Sequence, residues 1–470
     1  MIMFSWKDHY GRNQASFEEA AAKIRSGDFV GIALGVGACT PPMYDAILDR
    51  HEELNGVVIS DTIQLRPCRL YDPGFMEKLQ GRIDYCPAFG ISTIRKIHSS
   101  QIPDFLPINA HDLGDKMAAN SDVFIAMVTP PNNKGYVNLG LTNFYTMDAI
   151  RKGRASGKLR LAIAEVNSNM PIVLGNNWMH VSEFDCFIEH SSEIPVFSRS
   201  EPTEVERAIA AHVLELISDG DTIQMGIGGI PEAVVCGLAG KRDLGITTEM
   251  FPIGLHKLVE QGIVTNARKP RHRGVTVATL CMGDQELYDY ITENPACEFY
   301  PSSYTNNPVE LAQYPNLVAI NMAIMVDLSG QINSEGWGHR MISGSGGQLD
   351  FMMGAYWSKG GKGITLLSAA RQLADGSLSS SIVPELPSGT PVTVPRTYAQ
   401  YVITEYGVAD LRNKSRRQRA LALIEIAHPD LRGELRKSLQ RNFYTGWSAS
   451  ISSTSQSLNR ADKSLSLIAN

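Results

Sequence analysis

Residues 27–41 read G-D-F-V-G-I-A-L-G-V-G-A-C-T-P, and residues 220–231 read G-D-T-I-Q-M-G-I-G-G-I-P. Each opens on a Gly-Asp turn, runs through an apolar strand, breaks at a glycine-rich loop and meets proline near a new helix start. Upstream of each lies an amphipathic stretch, S-F-E-E-A-A-A-K-I (16–24) before the first and E-V-E-R-A-I-A-A-H-V-L-E-L-I (204–217) before the second. Their apolar residues recur at three-to-four spacing, which predicts helices. Helix, turn, strand, loop and helix, written twice, predict a chain built from two related α/β halves.

Working outward, V-V-I-S-D-T (57–62), V-F-I-A-M-V (123–128), L-R-L-A-I-A-E-V (159–166) and N-L-V-A-I-N-M-A (316–323) read as buried strands. Short β-branched runs that alternate with longer amphipathic ones give open α/β layers with mainly parallel strands. A Ser/Pro-rich stretch at 191–202 marks the boundary between the halves. The expected division is an N-terminal α/β domain over 1–195, a C-terminal one over 196–440, and a Ser-rich, loosely docked tail over 441–470.

Composition limits the function classes. The 470 residues are 43% hydrophobic, enough for two substantial cores. With 43 basic against 49 acidic residues the formal charge is −6, which argues against general nucleic-acid binding. No run of about 18 apolar residues occurs, so no membrane helix is expected. The opening residues lack an apolar signal core, and the expected location is cytoplasmic. Seven cysteines without a C-x-x-C pair, and eleven dispersed histidines without H-E-x-x-H, give no expectation of a disulfide scaffold or a metal site. The absence of a G-x-S-x-G elbow disfavours a serine hydrolase.

Several stretches remain that carry chemistry or a turn. The Gly226–Pro231 loop is either a tight strand-to-helix turn or a place where bare N–H groups meet an anion. It lacks the G-x-G-x-x-G spacing and no P-loop lysine follows, so neither NAD nor ATP is favoured. G-S-G-G-Q-L-D-F (344–351) is either a flexible surface loop or a concave polyanion site, with Lys359 and Lys362 as nearby charges. Asn306 and Asn307 read as a turn before Pro308, and the basic run 412–419 either as a solvated face or as a contact for nucleic acid or a phosphate, more often the former. Glu249, in G-I-T-T-E-M-F (245–251), is either a cap or loop acid, or a carboxylate held in a pocket; the Thr-x-x-Glu spacing of a capping box is absent.

Taken in order, G-I-G-G-I-P, L-G-I-T-T-E-M-F, S-G-Q-I-N-S-E (329–335), G-G-Q-L-D-F, T-E-Y-G-V-A-D-L-R-N-K-S (404–415) and I-A-H-P-D-L-R (426–432) resemble the acetyl-CoA hydrolase/transferase family. The likeness runs from about residue 10 to 435 and is greatest to its 4-hydroxybutyrate, butyrate and itaconate CoA-transferases. The resemblance implies two similar open α/β domains and a ping-pong CoA transfer through a thioester on Glu249. It implies short acids of about C2–C5 as partners, acetyl-CoA or succinyl-CoA as donor, and acyl-CoA as substrate without a permanently bound cofactor. By motif match, Gly226, Gly228, Gly229, Gly346 and Gly347 would surround the thioester and CoA. Asn306 matches a CoA-contacting asparagine, and Lys362 a phosphate partner. A homo-oligomer, dimer or tetramer, is implied as well. A hydrolase using the same glutamate, or a catalytically dead CoA-sensing or scaffold protein on the same fold, are the alternatives. Met352, Met353, Tyr356 and Trp357 depart from the small residues usual after G-G-Q-x-D-F and bear on the shape of the acyl pocket or CoA channel. The Ser-rich end also departs from the family's usual C-terminus.

Overall fold

The two Gly-Asp turns start both sheets in the same way. The computed structural model describes residues 5–90, 104–198 and 201–443. Gly27 and Gly220 lie at φ +83° and +85°, a left-handed geometry that glycine enters without a Cβ clash. Each following aspartate folds back on the N–H three residues earlier: Asp28 accepts from Arg25 (2.7 Å) and Asp221 from Ser218 (2.9 Å). Each glycine N–H then donates to a carbonyl just ahead of a neighbouring strand, Gly27 to Asn55 (2.9 Å) and Gly220 to Arg242 (3.0 Å).

The strands launched there, Phe29–Ile32 and Thr222–Met225, hold equivalent places in two six-stranded sheets. The first sheet runs Ile83–Tyr85, Val57–Ser60, Phe29–Ile32, Val123–Val128, Leu161–Val166, Cys186–Glu189, all parallel. The second runs Gly245–Ile246, Thr222–Met225, Leu317–Met322, Lys362–Leu366, Tyr401–Thr404, with Gly407–Asp410 closing the edge antiparallel. In each, the chain leaves a central strand to one side and returns on the other. That reversal opens a crevice at the carboxyl ends of the strands, where open α/β sheets take ligands.

The doubled sheet order bears out the repeat. The expected strands appear at Val57–Ser60, Val123–Val128, Leu161–Val166 and Leu317–Met322, and the second helix at Glu204–Leu216. That helix begins with a capping box, Thr203 against Glu206. The first helix is shorter than its periodicity predicts, Phe17–Ala21, because the chain tightens into turns ahead of Gly27.

One apolar cluster runs from the first sheet (Phe124, Ala126, Val128) into the second (Val318, Ile320, Ile364) without a break. Separate clusters cover the outer side of each sheet. The shared core holds the carboxyl edges of both sheets around one cavity. All seven cysteines are free, and no described helix is long and apolar enough to cross a membrane. Helix Pro429–Phe443 enters the expected tail, whose residues 444–470 lie outside those described.

Candidate active site

Glu249 sits at a bend between strand Gly245–Ile246 and strand Met250–Phe251, and it caps no helix. Its backbone is pinned from both sides. The Thr248 hydroxyl bonds the carbonyls of Met225 and Met250 (3.1 Å each). The Glu249 carbonyl accepts from the N–H groups of Thr279 (3.0 Å) and Leu280 (3.2 Å). The side chain is thereby turned into the wall of a cavity of about 590 Å³. The first half contributes Leu34, Thr62, Ile63 and Leu65 to that wall, and the second half Met225, Gly226, Met322 and 343–348.

Two donors grip the carboxylate. Asn306 Nδ2 donates to Glu249 Oε2 at 2.5 Å, while the Thr305 hydroxyl donates to Asn306 Oδ1 (2.9 Å) and so fixes which face of the amide points at the acid. The second donor is the Gly347 N–H. Gly347 is the N-cap of helix Gln348–Trp357, so the carboxylate also lies at the positive end of a ten-residue helix. A Cβ at Gly347 would collide with both Glu249 Oε2 and Asn306 Nδ2, which is why glycine is needed there. Burial nevertheless pushes the Glu249 carboxyl up to about 7. The donors from Asn306 and Gly347 pull it down, and the nearby Asp350 charge adds to the rise.

Asp350 lies in the first turn of that helix with its side chain buried, and it accepts from His111 Nδ1 (2.7 Å) and the His111 N–H (3.1 Å). His111 comes from the first half. Around it the halves are stitched by Ala110 N–H to the Gly346 carbonyl (3.1 Å) and Ser345 Oγ to the Ile108 carbonyl (2.5 Å). The partners of the Asp350–His111 bond lie 239 residues apart, and no sequence motif joins them. The floor of the cavity holds a reciprocal amide pair on adjacent strands, Gln224 and Asn321 (3.1 and 3.3 Å), which the sequence reading also missed. Their shared place at the ends of paired strands is the signal that would have found them.

Of the expected site residues, Glu249, Gly226, Gly346 and Gly347 line the cavity, and Asn306 holds the acid from behind. Gly228, at φ +116°, lies beside them in a smaller adjoining cavity of about 210 Å³. Gly229 turns elsewhere: a Cβ on it would strike the Glu206 carboxylate, so its smallness serves the packing of two helices. Lys362 is not at the cavity. It opens strand Lys362–Leu366 at the amino edge of the sheet, and its ammonium pairs with Asp221 at 3.1 Å. The repeat explains this, because Arg160, just ahead of the corresponding strand in the first half, pairs with Asp28 at 2.6 Å. Lys359 lies in the turn before the same amino edge, where its carbonyl accepts from Asn316 N–H (2.9 Å). Met352 is core, while Tyr356 and Trp357 are exposed and pack on Tyr398; none of the three lines the cavity. Asn307 caps helix Pro308–Leu311, as the turn reading expected.

In the first half the register places Thr62 where the second half has Glu249, since Phe29 pairs with Val58 as Thr222 pairs with Gly245. Its neighbour Asp61 is a fully buried acid. Three hydroxyls cover it, from Tyr85 (2.7 Å), Tyr44 (2.8 Å) and Tyr71 (3.0 Å).

Residues 4–197 match the family model for the acetyl-CoA hydrolase/transferase N-terminal domain, and residues 283–439 the model for the C-terminal domain. The chain belongs to the acetyl-CoA hydrolase/transferase family. A succinyl-CoA:cyclohexane-1-carboxylate CoA transferase of Geobacter metallireducens is 38% identical, over 93% of this chain and 97% of its own. A 4-hydroxybutyrate coenzyme A transferase of Clostridium kluyveri is 34% identical, over 93% of this chain and all of its own (100%). The crystal structure of RipA from Yersinia pestis superposes with a TM-score of 0.84 at 31% identity, over 93% of this chain and 99% of its own. Within the family, this chain is an enzyme of the CoA-transferase kind.

Proposed function

We propose that the enzyme moves CoA between carboxylic acids through a thioester on Glu249. The ionised Glu249 carboxylate attacks the thioester carbon of an acyl-CoA; the C–S bond breaks, leaving a mixed anhydride and CoA thiolate. The thiolate then attacks the glutamyl carbonyl and expels the first acid as its carboxylate, which leaves glutamyl-CoA. A second carboxylate reverses both steps and departs as the new acyl-CoA. No proton need change hands.

The observation that carries this reading is the grip on the Glu249 carboxylate, by Asn306 on Oε2 and by the Gly347 N–H. The same two donors fit the oxygen that becomes negative when a thiolate or carboxylate attacks the glutamyl carbonyl. Each preorganised donor of this kind is worth about 3–4 kcal/mol. Water is held off by the buried flank Met250, Phe251 and Ile253, which favours transfer over hydrolysis. Apolar cavity walls from Leu65, Phe144, Met282 and Phe351 support an acid with an uncharged, apolar tail, a class that includes butyrate and cyclohexane-1-carboxylate. We place the division of labour at 1–195 and 196–440, and a cytoplasmic homo-oligomer remains the expected form.

The test is to mix the enzyme with an acyl-CoA, quench in acid and weigh the intact protein. A CoA adduct on Glu249 that disappears in Glu249→Gln and is discharged by an added acid supports transfer. Steady CoA release without acceptor, as fast as turnover with one, would make the enzyme a hydrolase. A panel of acceptor acids then identifies the acyl partner.

A further inference from the structure

We infer that His111 and Asp350 act as one electrically balanced pair that keeps Glu249 ionisable, so that the first half of the chain sets the charge on a nucleophile carried by the second. This rests on Glu249 being the nucleophile. Asp350 stands in the first turn of the helix whose N-cap N–H, at Gly347, holds Glu249. Asp350 lies behind the cavity wall that Glu249 lines, near enough for the two carboxylates to oppose each other, and the nucleophile is useful only when ionised. Asp350 is shut away from water, and both of its hydrogen bonds come from His111, through Nδ1 (2.7 Å) and the backbone N–H (3.1 Å). An uncompensated charge in that position would be strongly disfavoured.

The surroundings of His111 favour its cation. It faces Asp350 from helix Gln348–Trp357, Asp112 from its own turn (Nε2 to Oδ1, 3.2 Å), and Asp115 from helix Leu113–Asn120. Asp115 is itself tied to Lys152 at 2.6 Å. The groups facing His111 are thus carboxylates, and the hydrogen bond to Asp350 above all holds its imidazole above the ordinary histidine range. Burial already pushes the Asp350 carboxyl up, so without the imidazolium Asp350 and Glu249 would each oppose the other's ionisation. His111 is a positioning and charge-setting residue here; it does not touch the carboxylate that reacts.

The experiment follows the rate of covalent CoA attachment to Glu249 against pH, by acid quench and intact mass, in the full chain. In His111→Gln the hydrogen bond to Asp350 is retained and the charge is lost. The midpoint of the rising limb should move up by roughly one pH unit. Adding Asp350→Asn to that variant should bring it back toward the unsubstituted value, whereas a merely structural role predicts a double variant as impaired as the single one or more so. Asp350→Asn alone should not raise the midpoint, and that arm decides the matter if His111→Gln fails to fold. An unmoved midpoint in His111→Gln, an unrescued double variant, or a raised midpoint in Asp350→Asn overturns the inference. No adduct in the unsubstituted protein at any pH would instead overturn the glutamyl thioester itself.

Discussion

Replacing Gly347 with alanine tests the site with the smallest available change. The new methyl would occupy the space of Glu249 Oε2 and Asn306 Nδ2 together, so the carboxylate must leave the donor pair. A hydrogen bond to a charged group is worth about 1.5–3 kcal/mol, and two are lost, those from Asn306 and from the Gly347 N–H. The combined loss of about 3–6 kcal/mol corresponds to a fall of roughly 10² to 10⁴ in kcat/KM. Gly347 sits at φ −93°, a value open to alanine, so backbone strain is not part of the cost. Transfer between two acids, followed by chromatography of the acyl-CoA products, reads the activity, and denaturant unfolding reads the fold. An alanine variant that unfolds like its parent yet keeps activity within tenfold would refute the argument that this grip carries the chemistry.

Other consequences can be checked separately. Because burial raises the Glu249 carboxyl to about 7, the folded state holds its proton more tightly than the unfolded chain does. Its ionisation therefore erodes stability as pH rises from about 4.5 to 7, and Glu249→Gln should gain on the order of 3 kcal/mol over its parent at pH 8 but little at pH 4. Equal stability of the two proteins across that range in urea titrations would contradict the desolvated setting. Lys362→Met leaves the buried Asp221 carboxylate without its ammonium partner and should cost about 1–3 kcal/mol of stability, while KM for acyl-CoA stays unchanged; a selective rise in KM would restore Lys362 to the phosphate site. Thr305→Val frees the Asn306 amide to turn, and should lower kcat by roughly tenfold with KM little altered. Unchanged kcat would show that packing alone orients the amide.

Much of the fold was legible because the same local chemistry is written twice. The Gly-Asp turns, their left-handed glycines and the strands they launch depend on short-range contacts, and those follow from residue type and spacing. Glu249 was locally ambiguous, since nothing in G-I-T-T-E-M-F distinguishes a loop acid from one in a pocket; the order of distant motifs singled it out. The same order singled out Asn306, though as a CoA contact and not for the bond it makes to Glu249. Lys362 was misplaced because a lysine beside glycines looks like a phosphate ligand, whereas its partner, Asp221, lies 141 residues away at the other end of the strand from the cavity. Reading the repeat one step further, to Arg160 and Asp28, would have revealed that pairing. Gly229 answers to Glu206 across a helix contact, and His111 reaches Asp350 across the two halves. Such contacts arise only when the sheets pack.

The burial of Asp61 beneath three tyrosines has a consequence for stoichiometry. Where the second half has Glu249 the first half has Thr62, and the adjacent acid, Asp61, has both of its oxygens taken by phenol hydroxyls. Under the proposed mechanism each chain therefore offers a single covalent berth for CoA. Complete loading would saturate at one equivalent per polypeptide, and a half-loaded preparation would report inactive or occluded molecules, not a vacant twin site.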